Sequence, residues 1–79
     1  MTEAERDWIK TQIDQVVLLE TVQGQHLLAE ILFVFDEGET PDLFCLEVQR
    51  NPDGSYTQKG NTGHSILLSD IVSAKSPAQ

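Results

Sequence analysis

Ser65-Ile66-Leu67-Leu68-Ser69-Asp70-Ile71-Val72-Ser73 decides the fold. Two short apolar strands meet at a Ser-Asp corner that leaves no room for a helix between them. So tight a corner cannot fold the second strand back onto the first. Each must pair elsewhere, within a strongly bent sheet of the kind that closes very small barrels.

The segments upstream supply the rest of that sheet. Val16 to Val22 is rich in strand formers and ends at Gln23-Gly24, a tight turn. Gln25 to Phe35 follows, with Leu27, Ala29, Ile31, Phe33 and Phe35 on one face by parity, so these five are expected in the core. A helix over Leu27–Leu32 competes on propensity. The Phe33-Val34-Phe35 end is strongly β-prone, and a long curved strand is the better reading. Asp36 to Asp42 is an acidic loop, and Leu43 to Arg50 forms the third strand. Asn51-Pro52-Asp53-Gly54 is the strongest local signal: proline presets the first turn position and glycine accepts the left-handed one, which defines a hairpin. Ser55 to Lys59 returns as a polar strand around Tyr56, Gly60-Asn61-Thr62-Gly63 loops, and Ile66–Leu68 and Ile71–Ser73 finish the sheet.

Thr2-Glu3-Ala4-Glu5 fits a capping box, in which hydroxyl and carboxylate each take the other residue's amide. Trp8, Ile9 and Ile13 then recur at helical spacing, giving an amphipathic helix over about residues 3–14 that needs a sheet face or an open barrel end to dock on. The whole is one domain of 79 residues: the helix, a barrel over about 15–75 and a frayed tail, 76–79. A domain this small gains from a partner subunit.

Charge is divided unevenly. Residues 1–42 hold ten acids against Arg6 and Lys10, so the net −8 of the chain resides there, while residues 43–79 balance three acids with three bases. Such a field repels polyanions. Cys45, the single cysteine, sits in an apolar run and reads as a small buried hydrophobe suited to a reducing cytosol. The sequence shows neither a signal peptide nor a membrane span, and a cytoplasmic location is expected.

Candidate chemistry is sparse. The carboxylates of the acidic loop lack calcium-loop spacing. His26, His64 and Cys45 lack the paired spacing of a zinc site. Ser65, Ser69, Asp70, His64 and Cys45 include the residue types of a nucleophilic triad, but no strained elbow exposes a nucleophile. Asp70 is expected to accept backbone amides at the corner through its carboxylate. Gly60–Gly63 reads as a plain turn rather than an anion nest. No cofactor, metal or catalytic residue is expected. The edges, Tyr56 with Ile66, Leu67 and Leu68, are the candidates for pairing with another copy.

This order of elements resembles the Sm-like family: a short N-terminal helix, then five strands in an SH3-type barrel. Gly24 to Val48 stands for the first family motif and Ser65 to Val72 for the second. The resemblance implies rings of six or seven subunits, strand four joining strand five of the neighbour. It also implies uridine- or adenine-rich RNA held at loops that here are Asp36–Asp42 and Leu68–Asp70. Two departures weigh against RNA: Ser69-Asp70 replaces the basic residue of the second motif, and the first of these loops is acidic. The PRC-barrel type is similar in its closing strand-corner-strand phrase. The expected protein is therefore a mainly β, five-stranded, strongly bent SH3-like or Sm-like small barrel with a short N-terminal helix. It acts as a non-enzymatic interaction module that self-associates through edge strands or binds a protein partner. The alternative is an RNA-binding ring with Arg50, Lys59 and Tyr56 in contact with RNA.

Overall fold

The computed structural model describes residues 1–77, with 61 and 62 described by backbone alone. Ala78 and Gln79, the end of the expected tail, lie outside the described residues. The chain runs α1 (Glu3–Ile9), β1 (Val16–Thr21), β2 (His26–Phe35), β3 (Asp42–Arg50), β4 (Tyr56–Leu67), a 3-10 turn at Leu68–Asp70, and β5 (Ile71–Lys75). The five strands form one antiparallel sheet in the order β4-β3-β2-β1-β5. The sheet is open, because β4 and β5 are its two edges and do not pair.

The corner forces the sheet to bend. Laid flat, the edges of five strands stand about 19 Å apart at the usual spacing. A single 3-10 turn advances only about 8 Å between Leu67 and Ile71. The corner is thus a short helix after all, and its backbone ties both sides together. Leu68 N–H donates to the Pro41 carbonyl beside β3, and the Asp70 carbonyl accepts Val22 N–H at the end of β1, each at 2.9 Å. Asp70 joins through its carbonyl rather than by the carboxylate contacts expected of it.

Local signals hold where their partners lie nearby. The Thr2 hydroxyl accepts Glu5 N–H at 3.1 Å, and the Glu5 carboxylate accepts Thr2 N–H at 3.0 Å. Asn51–Gly54 closes through Gly54 N–H to the Asn51 carbonyl, with Gly54 at φ 89° and Asp53 accepting Ser55 N–H. Thr21 to Gly24 repeats that geometry, with Gly24 at φ 85°.

The helix stops at Ile9, short of residue 14. The Thr11 hydroxyl bonds back to the Trp8 carbonyl at 2.6 Å, and Asp14 turns the chain at φ 67°. Asp14 N–H then donates to the Ile31 carbonyl and the Gln15 carbonyl accepts Ile31 N–H, which fastens this segment to β2. Ile13, expected to dock with Trp8 and Ile9, is left exposed.

Among the described side chains, every element but β4 contributes a fully buried one to the core, which includes Ile9, Leu19, Ile31, Leu43, Leu68 and Ile71. Phe33 and Phe35 are not among them, contrary to their parity; they are 52% and 53% exposed. Ile31 faces Cys45 but Phe33 faces Phe44, so two steps along β2 match one along β3. Leu32 is the extra residue of a β-bulge, and one extra residue moves every later side chain to the opposite face. Val34 takes the inward place opposite Leu43.

β4 holds a larger irregularity. Leu46 faces Gly63 and Val48 faces Gln58, so residues 59–62 bow out against Glu47 alone. The two short strands read from the sequence, around Tyr56 and at Ile66–Leu68, are the two ends of this one long strand. Gly60, at φ 75°, supplies the backbone conformation that the bow needs.

Candidate functional site

Among the described residues β4 presents the uncovered edge of the sheet. Leu68 N–H bonds Pro41, and the antiparallel ladder alternates. The backbone groups of Ile66 and His64 therefore face β3, and those of Leu67, Ser65 and Gly63 face outward.

Beside that edge lies an apolar patch on the outer face. Phe33 faces Phe44, Phe44 faces Ser65, and Leu67 faces Asp42 across from Phe35. Phe44 and Leu67 are each 41% exposed. The Phe33 and Phe35 rings are tilted against each other at 5.0 Å. The Phe44 ring covers Gly63, where a Cβ would stand 2.2 Å from its Cζ; the glycine lets the ring lie flat on the strand. Together the four side chains expose on the order of 350 Å², the size of the largest apolar patch on a typical monomer, which is often a functional one. The bulge at Leu32 builds this surface, and parity alone conceals it.

The expected edge residues separate. Leu67 points outward beside the patch, and Tyr56 is half-buried at the far end of β4. Ile66 turns inward against the core, opposite Leu43. Leu68 lies beyond β4 in the corner with its side chain in the core, so it offers the edge nothing. Of the expected RNA contacts, Arg50 faces Tyr56 directly across the β3–β4 ladder. Lys59 is held by Glu47 at 3.2 Å.

The β5 edge is covered differently. Glu5 Oε2 accepts Ala74 N–H at 3.1 Å, and the Met1 nitrogen donates to the Ile71 carbonyl at 3.2 Å. Among the described residues β1 is the only strand beside β5, so these groups belong to its outer side. The bonds that Glu5 receives, first from the Thr2 amide, then from the Ala74 amide and the Thr2 hydroxyl, hold its carboxyl below the usual value.

The polar residues outside this edge form no comparable constellation. In the acidic loop, Asp36 is taken by Lys10 at 2.6 Å, and Lys10 also reaches Asp7 at 3.3 Å. Lys10 holds the Asp36 carboxyl low, and the Asp36 bond is the main cause raising the Lys10 ammonium. Among the described residues no three His, Cys, Asp or Glu side chains gather around a common point. A pocket of about 290 Å³ opens between the β1–β2 turn and β4, with Leu27, Glu47, His64, Ser65 and Ile66 in its wall. His64 stands opposite Cys45 in the ladder, which brings two of the triad residue types together. Burial, and to a lesser extent Glu47, pushes the Cys45 thiol up to about 11, the reverse of an activated nucleophile. Cys45 should therefore resist a thiol-specific aromatic disulfide reagent in the folded protein and react stoichiometrically in denaturant. Rapid labelling at neutral pH without denaturant would contradict that assignment.

No family model, curated protein or solved structure matches this chain. No helix among the described residues is long and apolar enough to cross a membrane.

Proposed function

We propose that this chain is a non-enzymatic small-barrel interaction module of the Sm-like type that self-associates along β4. The observation that carries this reading is the union of an unpaired strand edge with an exposed aromatic patch. Strand addition needs free backbone donors and acceptors, and a stable contact needs apolar surface beside them. Residues 63, 65 and 67 provide the first; Phe33, Phe44 and Leu67 provide the second. The barrel assignment draws on a leading helix, five strands and two sheet edges drawn together by a three-residue corner. A reducing, cytoplasmic setting agrees with the single buried thiol.

The charge distribution favours a second copy over RNA. β4 carries Lys59 and no acid, so two such edges approach without the repulsion that the first half of the chain would impose. For RNA, Lys59, one of the expected contacts, is already engaged by Glu47.

Light scattering should give a mass above that of the monomer at micromolar concentration. Leu67→Lys places a charge in the patch, and Ser65→Pro removes an outward N–H while leaving the ladder bonds intact. Each should return the protein to monomer with its circular dichroism unchanged. Short uridine- or adenine-rich RNA at low salt should not alter the mass. A wild-type monomer at every concentration rejects the self-association reading, and salt-sensitive RNA binding would favour the ring alternative.

A further inference from the structure

The two edges of the sheet differ in a way that selects how copies can join. At β5, the Glu5 carboxylate occupies Ala74 N–H and the Met1 nitrogen occupies the Ile71 carbonyl, while α1 packs alongside. A strand arriving there must first displace Glu5 from an amide that it bonds across 69 residues of sequence. At β4 no such displacement is needed.

Resting on the self-association reading, we propose that α1 guards the β5 edge, so that two copies of this chain meet only through β4, antiparallel around a two-fold axis at Ser65. Three observations favour this geometry. The outward groups of β4 fall at 63, 65 and 67, which is symmetric about Ser65, so an antiparallel copy sets Ser65 opposite its own counterpart and Gly63 opposite Leu67. The Phe44 ring over Gly63 and the Leu67 side chain lie on the same outer face, so the two patches join into one across the axis. Glu5, an acid of α1, is held on Ala74 N–H at the guarded edge rather than at the joined one. The guard also distinguishes this arrangement from a head-to-tail ring, which uses one β4 and one β5 at every contact. A closed pair arises instead, and its growth stops at two because both remaining edges are covered.

Three substitutions in the full chain test the proposal, each read by light scattering. Ser65→Cys places two thiols about 5.5 Å apart between Cα atoms at the axis, within disulfide reach. Mild oxidation should convert nearly all of this variant to a covalent dimer, while Cys45 stays silent in the core. Glu5→Ala frees Ala74 N–H, and the protein should then form species larger than the dimer, increasing with concentration. Thr2→Ala removes the cap hydroxyl but keeps the carboxylate on Ala74, so it should remain a dimer; this separates guarding from helix stability. A wild-type dimer or ring without Ser65→Cys cross-linking overturns the two-fold axis but leaves self-association standing. A Glu5→Ala protein that stays a dimer overturns the guard. A wild-type monomer overturns the reading on which both rest.

Discussion

Replacing Ile31 with alanine should bring the protein to the margin of unfolding, while the same change at Phe33, a larger side chain two residues on, should leave it folded. Ile31 is fully buried, and truncating such a residue costs about 2–5 kcal/mol. A chain of 79 residues has a total stability of roughly 4–12 kcal/mol at the usual value per residue. Ile31 also bonds Asp14 and Gln15 through its backbone, so a cavity here loosens the segment that carries α1 into the core. Phe33 shares the parity of Ile31 but not its face, because the bulge at Leu32 lies between them. Its loss should cost less than about 1 kcal/mol, within the range of surface substitutions, and should instead weaken self-association. Urea unfolding of both variants checks the pair. Equal destabilisation would mean that Phe33 is in the core and that the bulge is wrongly placed.

A second contrast separates the adjacent leucines 67 and 68. Leu68→Ala should lose about 2–5 kcal/mol of stability, since its side chain is 1% exposed in the middle of the corner. The loss is amplified because the corner joins β3 to β1 through Leu68 and Asp70, and loosening it relaxes the bend of the sheet. Leu67→Ala should change stability by less than about 1 kcal/mol, because the side chain is already part-solvated on the outer face. Its effect should fall on the mass in solution. Thermal melts of the two variants, paired with light scattering, distinguish core from edge. A Leu68→Ala protein with unchanged melting would sink the account of the corner.

Much of this architecture is legible in the amino-acid order. The capping box at Thr2 and Glu5, the turns at Gln23-Gly24 and Asn51–Gly54, the long strand ending at Phe35 and the division of the last apolar phrase at Ser69-Asp70 all appear where they were expected. The candidate site is legible only in part. Leu67 lies in the edge strand β4, whereas parity places the aromatic surface beside it in the interior, and Leu68, an expected edge residue, lies in the core. A mismatch signal was present, since β2 is apolar on both faces and alternation alone does not choose between them. Nothing within β2 itself marks Leu32 as the residue without a partner.

The amino-acid sequence by itself determined those features whose interactions close within a few residues: a hydroxyl reaching an amide three positions on, a glycine released into a left-handed turn, a run of β-branched and aromatic side chains that favours a strand. Tertiary structure decided the features that require a distant strand. The faces of Phe33 and Phe35 follow from how many residues of β3 stand opposite β2, and the covering of β5 follows from Glu5 meeting Ala74 across the fold. A backbone group learns its partner only when the sheet assembles, and at that point the chain acquires one open edge and one closed one.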